Sequence, residues 1–231
     1  MHAHYLVLFD IDGTLLHSGG CGRAATRLAL PEVFGTHGNI DTVNFAGTTD
    51  WQVLLEALQP VGISDEVVKH RLEQYDESVA RHLARIIHTF PVGPCAGALD
   101  VVAALRSNPA VVLGLVTGNM AGLVAIKLRA AGYDPGDFKI AAFGSEGWER
   151  AMLPPLALER ARAYTGNNFA PDQIVIIGDT PGDIMCAASI EARTIAVATG
   201  PFSTAELRSH NPDHVFESMA DSDAVLAAIL T

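Results

Sequence analysis

The chain has few cysteines, few cations and no long apolar run. Its three cysteines, Cys21, Cys95 and Cys186, are far apart and odd in number. That argues against a disulfide framework or a thiolate metal site, and the three read as buried thiols in a reducing compartment. Fifteen Lys and Arg stand against 26 Asp and Glu, a formal charge of -11, and the basic residues form no stripe. Neither nucleic acid nor an anionic membrane surface is therefore expected as a partner. No stretch approaches the roughly 20 apolar residues needed to span a bilayer. The start, Met-His-Ala-His followed by a short apolar run with an acidic end, lacks the pattern of a secretory signal, so the expected location is cytoplasmic. His2 and His4 read as solvated terminal residues rather than metal ligands. No internal repeat or low-complexity segment is visible.

What is present points to an ordinary globular protein. With 49% hydrophobic residues, 18% charged and a mean hydropathy of +0.25, the chain can bury a large core. Its 231 residues are many for one compact α/β domain and few for two, which predicts a core with a sizeable insertion. Continuously apolar, strand-sized runs recur at 5–9, 111–116, 139–143, 174–177 and 194–198, as expected of strands buried on both faces. Segments with helical spacing lie between them, at 98–105, 123–131, 156–164 and 184–188. Strand followed by helix, repeated, predicts a doubly wound parallel sheet of Rossmann-like α/β type.

Residues from about 21 to 88 break that rhythm and read as helices alone. Thr49 and Gln52 have capping-box spacing ahead of an apolar run, and Ser64 precedes an amphipathic segment that continues to Ile87. Ser18, Gly19 and Gly20 on one flank, and Pro91, Gly93 and Pro94 on the other, have hinge chemistry. The predicted organisation is an α/β core of residues 1–16 and 91–231 with a small α-helical cap, 17–90, inserted after the first strand.

Three short motifs follow buried strands. Asp10-Ile11-Asp12-Gly13-Thr14 sets two carboxylates in a loop after the first strand, where open α/β sheets bind ligands. Such a pair can divide labour, one carboxylate attacking phosphorus and the other moving a proton. Thr117-Gly118-Asn119 offers a hydroxyl and backbone N–H groups ahead of a helix, suited to phosphoryl oxygens. In Gly178-Asp179-Thr180-Pro181-Gly182-Asp183, the two aspartates offer the oxygen ligands that magnesium prefers, although Asp183 could equally cap a helix.

With these motifs in this order, the chain resembles the haloacid dehalogenase-like hydrolase superfamily, in the helical-cap branch that includes phosphoglycolate phosphatase and β-phosphoglucomutase. The likeness spans nearly the whole chain. It implies Asp10 as nucleophile, Asp12 as general acid and base, and Thr117 as a phosphate-binding hydroxyl, with Gly118 and Asn119 beside it. It also implies a magnesium ion held by Asp10, Asp179, Asp183 and the main-chain carbonyl of Asp12. In the cap, Thr48 and Arg23 fall where this branch faces its substrate, and the substrate implied is a small phosphorylated metabolite, handled by a monomer or homodimer.

One element departs from the family pattern. The lysine that bridges nucleophile and phosphate is not found at its place in Glu149-Arg150-Ala151-Met152-Leu153-Pro154-Pro155, where an ungapped alignment puts Met152. Arg150 is the favoured substitute, because a guanidinium can fork between carboxylate and phosphate. Lys127 and Lys139 are weaker candidates, expected away from the catalytic edge. Dehalogenation is disfavoured by Asp12, and phosphonate cleavage by the unremarkable surroundings of Lys69, the sole lysine of the cap. A sugar-phosphate mutase and a non-catalytic binding protein stay open beside the phosphatase.

Overall fold

A computed structural model describes residues 4–231, so His2 lies outside the described residues. A six-stranded parallel sheet forms the centre, in the order β5 (Ile140–Phe143), β4 (Val111–Thr117), β1 (Tyr5–Phe9), β6 (Ile174–Gly178), β7 (Arg193–Val197) and β8 (His214–Phe216). Central β1 pairs with β4 in the register Phe9 to Leu115 and with β6 in the register Phe9 to Ile177. This brings three strand ends, and so the three motif loops, to one edge.

Alternate residues of each strand face opposite layers, the two-residue period of extended chain. Val7, Phe9, Leu113, Leu115, Val175 and Ile177 pack with α5 (Ala98–Ser107), α6 (Ala121–Ala130) and α10 (Ser222–Leu230). Leu6, Leu8, Val112, Val116, Ile174 and Ile176 pack with α7 (Leu153–Thr165) and α8 (Pro181–Ala187). Helices on both faces explain why these strands read as unbroken apolar runs. The doubly wound α/β architecture is as expected.

Between the short antiparallel strands β2 (Leu16–His17) and β3 (Gly93–Pro94) lie four helices, α1 (Cys21–Phe34), α2 (Asp50–Leu58), α3 (Asp65–His70) and α4 (Leu72–Ile86). They share an apolar cluster of their own, which reaches Met120 and Leu123 at the start of α6. The two hinge-like flanks sit side by side, since a Cβ on Gly19 would meet the Pro91 ring.

Local structure differs from the sequence reading in places. The segment from Ser64 to Ile87 is two helices, broken at Arg71, whose guanidinium donates to Val33 O at 2.6 Å. Ser64 makes no side-chain cap, whereas Thr49 caps α2 by accepting from Gln52 N at 3.1 Å. The Gln52 side chain turns instead to Glu56. Strand β8, α9 (Thr204–Arg208) and α10 were not anticipated. No helix among the described residues is long and apolar enough to cross a membrane.

Candidate active site

The chain turn after β1 puts Asp10 at the mouth of a cavity of about 470 Å³ that is also lined by Asp12, Gly118, Asn119, Lys127, Arg150 and Asp179. Asp10 is buried and its backbone N–H donates to Ile177 O at 2.9 Å. Gly13 turns the loop with a φ of +83°, and a Cβ on either Gly13 or Gly200 would collide with the Asp179 carboxylate. Only glycine leaves that carboxylate room. Thr14 Oγ1 then donates to Asp179 Oδ1 at 3.0 Å, and Thr199 Oγ1 to Gly13 O at 2.5 Å.

Asp183 does two things at once. Its Oδ2 accepts from Thr180 N at 3.0 Å and Thr180 Oγ1 at 2.6 Å, closing a capping box at the start of α8. Its Oδ1 accepts from Arg150 Nη2. Asp183 therefore caps α8, as one of its two readings expected, and the same carboxylate faces the site through Arg150.

Arg150 lies in a short 3-10 turn, Arg150–Met152, ahead of α7. Its Nη2 bridges Asp183 Oδ1 and Asp10 Oδ1, the latter at 3.0 Å, and the side chain is buried, while Met152 is exposed. Of the two positions in the Glu149–Pro155 stretch where the missing lysine could fall, Arg150 is the one in the site. A Cβ on Gly118 would come within 3.1 Å of Arg150 Nη1, so the guanidinium reaches toward the second motif loop.

Lys139 is, as expected, elsewhere: it is exposed and donates to Gly136 O at 2.5 Å. Lys127 corrects the expectation made for it. It is 3% exposed, and its Nζ lies 2.7 Å from Asp12 Oδ2 and 2.5 Å from Asn119 Oδ1. Helix α6 begins beside the second motif and runs under the site, so a lysine two turns along it returns to the loop. A cation set in the apolar stripe of Leu123, Val124 and Leu128 was the available signal.

The other predicted residues divide. Thr117 is fully buried behind the cavity wall, its Oγ1 accepting from Asn119 Nδ2 at 2.8 Å. Thr48 lines the cavity, and its carbonyl packs on Gly118 so closely that no Cβ fits there. Arg23 lines it too, but its guanidinium donates to Ile40 O at 2.8 Å and Val43 O at 2.9 Å and lies 4.2 Å over the Phe45 ring. Those donors brace the loop that carries Thr48. Asp50, not singled out from sequence, also lines the cavity, and its Oδ2 accepts from Met120 N at 2.7 Å.

Electrostatics separates the two motif-one carboxylates. Burial pushes Asp10 up to about 6, against the pull of Arg150 and with the push of Asp183 and Asp12. Asp179 is driven well above the carboxylate range by burial and by the charges of Asp183 and Asp10. Burial acts on Asp12 as well, yet the Lys127 ammonium, its hydrogen bond and the Asn119 amide hold that carboxyl below its ordinary value.

Asp10, Asp179 and Asp183 each offer an oxygen, and these atoms all lie within 4.8 Å of one another. Three buried carboxylates crowded to that degree, with two of them resisting ionisation, form a donor set that suits a hard divalent cation. The Asp12 carboxylate is not part of that cluster.

A family model described as HAD-hydrolase-like matches residues 153–222, the stretch from α7 to the start of α10 that carries Asp179 and Asp183. Over that stretch the chain is similar to the haloacid dehalogenase-like hydrolases. A hydrolase from Pseudomonas syringae superposes with a TM-score of 0.68 at 21% identity, over 99% of this chain and 100% of that one. CbbY from Rhodobacter sphaeroides, solved in complex with phosphate, gives a TM-score of 0.68 at 16% identity over 94% of this chain and 95% of that one. Both likenesses establish the fold. Among curated proteins, pyrophosphatase PpaX of Oceanobacillus iheyensis is 23% identical over 218 residues, 93% of each chain.

Proposed function

We propose that the protein is a magnesium-dependent phosphatase that hydrolyses a small phosphate monoester by way of a phosphoryl group carried on Asp10. The observation that carries this reading is the bridging of Asp10 and Asp183 by Arg150, inside a cavity that also holds Asp12. Asp10, Asp179, Asp183 and the main-chain carbonyl of Asp12 would hold the magnesium ion. Bound there, the ion supplies positive charge to the phosphoryl oxygens and favours the ionised form of the carboxylates around it.

The protein's own residues do the rest. Arg150 keeps one face of Asp10 paired and presents a second N–H edge toward Gly118, where a phosphoryl oxygen can be received. The backbone N–H of Gly118 receives a further oxygen, while Thr117 Oγ1 holds Asn119 from behind, accepting from its main-chain N–H at 3.3 Å and its side-chain amide at 2.8 Å. Asp10 attacks phosphorus, Asp12 protonates the departing oxygen, and Asp12 then takes a proton from the water that frees Asp10. We take residues 17–90 to be a cap over the core of 1–16 and 91–231, with the Phe45–Thr48 segment that roofs the cavity excluding bulk water. Three free, buried thiols accord with a cytoplasmic setting.

The test is phosphate release with and without magnesium from a panel of monoesters, with inorganic pyrophosphate included because of the PpaX likeness. Magnesium-dependent turnover that is lost in Asp10→Asn is expected. No turnover across the panel would leave a binding protein as the better reading, and turnover only with a bisphosphate activator would favour a mutase.

A further inference from the structure

Lys127 is a buried lysine that the hydrolysis described above does not use. We propose that Lys127 and Asn119 clamp Oδ2 of Asp12 and thereby reserve Oδ1 as the oxygen that carries the proton, a positioning role that rests on the phosphatase reading.

The contacts form a closed ring. Lys127 Nζ donates to Asp12 Oδ2 at 2.7 Å and to Asn119 Oδ1 at 2.5 Å, and Asn119 Nδ2 donates to the same Asp12 Oδ2 at 2.7 Å. Thr117 Oγ1 accepts from Asn119 Nδ2 at 2.8 Å and fixes the amide from the other side. The helical insertion leaves space for the ammonium, because a Cβ on Gly22 would stand 3.2 Å from Nζ. Packing does not call for a lysine here. The neighbouring inward positions of α6 are Leu123, Val124 and Leu128, and an aliphatic residue would fill the site without burying a charge.

The complementary observation is at the other oxygen. Asp12 Oδ1 is buried and has no hydrogen-bond partner. An oxygen facing two N–H donors has no room for a proton of its own, whereas an unpartnered oxygen can hold one and direct it. The clamp therefore decides which oxygen does the chemistry. The monoester binds as its monoanion and passes its proton to Oδ1. As Asp10 bonds to phosphorus and the P–O bond to the leaving group breaks, the leaving oxygen takes that proton from Oδ1. The water that next attacks phosphorus gives a proton to Oδ1 as the P–O bond to Asp10 breaks. Inorganic phosphate takes this proton as it leaves, and Asp12 returns to its ionised form.

Without the clamp, the proton is shared between two oxygens and the carboxyl can turn. Substrates whose leaving group needs the proton should suffer most. The experiment is a series of aryl phosphates from 4-nitrophenyl to phenyl and methoxyphenyl phosphate, assayed with magnesium for the wild type, Lys127→Met, Lys127→Arg and Asn119→Ala, with melting temperatures recorded. General acid catalysis contributes about 10²–10⁴-fold, so the kcat loss in Lys127→Met is expected to be at least about tenfold greater on phenyl than on 4-nitrophenyl phosphate, with KM little changed. Lys127→Arg should keep much of the wild-type slope, and Asn119→Ala should steepen it if Lys127→Met is too unstable to assay.

Equal losses along the series in folded Lys127→Met and Asn119→Ala, or no loss, would overturn the clamp while leaving the phosphatase standing. A wild type inert toward the whole series would overturn the phosphatase reading and the clamp with it.

Discussion

Replacing Arg150 by alanine is the perturbation that most directly weighs the site. The guanidinium is 8% exposed and its Nη2 serves both Asp10 and Asp183, so its removal leaves two buried carboxylates facing each other without a cation. Breaking a buried ion pair from one side costs about 3–5 kcal/mol. In a chain of this size 1 kcal/mol corresponds to about 2–4 °C in Tm, so a fall of roughly 6–20 °C is expected in chelator. Magnesium should recover much of that loss, because the abandoned carboxylates then have a cation to share. Turnover should not recover. Losing one charge-assisted contact of about 1.5–3 kcal/mol lowers kcat by roughly 10–150-fold, with magnesium present throughout. Arg150→Lys keeps the charge but not the fork and should fall between the two. The assays are scanning calorimetry with chelator and with magnesium, and phosphate release at saturating substrate. Unchanged turnover in Arg150→Ala, together with an unchanged melting temperature in chelator, would refute the assignment of Arg150 as the substitute cation.

Two further outcomes follow from groups beside the site. Burial, with Asp12 and Asp76 nearby, pushes Asp50 up to about 6 despite Lys127 and the Met120 N–H. A folded value above the unfolded one means that its stabilisation is complete below about pH 4 and is lost as pH rises through about 6. Asp50→Asn keeps an acceptor for Met120 but cannot ionise, so its melting temperature should gain on the wild type from pH 4 to pH 7. About two units correspond to at most ~3 kcal/mol, reduced to ~1–2 kcal/mol because Asp50 is only partly buried; a difference that stays flat with pH would contradict this. Burial also raises all three thiols, Cys95 and Cys186 to about 12, so the native protein at pH 8 should resist a disulfide reagent that titrates three thiols after denaturation. Rapid labelling of any one of them in the native state would show that the burial is not maintained.

The central sheet was legible because burial on both faces leaves strands such as Tyr5–Phe9 and Ile174–Gly178 with no polar position to mislead. By the same logic, β8 was invisible: three residues at the sheet edge, none of them fully buried, carry no periodic signal. The break at Arg71 was hidden for a different reason. The amphipathic pattern runs straight through it, and the bond that Arg71 makes there is a tertiary one, to Val33 on another helix.

In the site, the carboxylates were readable because each follows a strand closely, in the loop or in the first turn of the next helix, so that chain order alone brings them together. The cations were not. Arg150 stands 140 positions from Asp10, and Lys127 stands 115 from Asp12, and no local spacing ties either to its partner. Arg150 could be proposed only because a lysine was missing, whereas Lys127 was set aside because its helix looked remote. Position along a helix says which face a residue occupies, but not what that face meets. In a chain carrying 26 acidic residues against 15 basic ones, the two cations buried beside the motif-one carboxylates are the informative ones. Each is paired with a different aspartate of the Asp10–Asp12 motif, and that division gives two otherwise similar carboxyls different environments: Asp10 beside a fork that can share a phosphoryl oxygen, and Asp12 with one oxygen held and the other free.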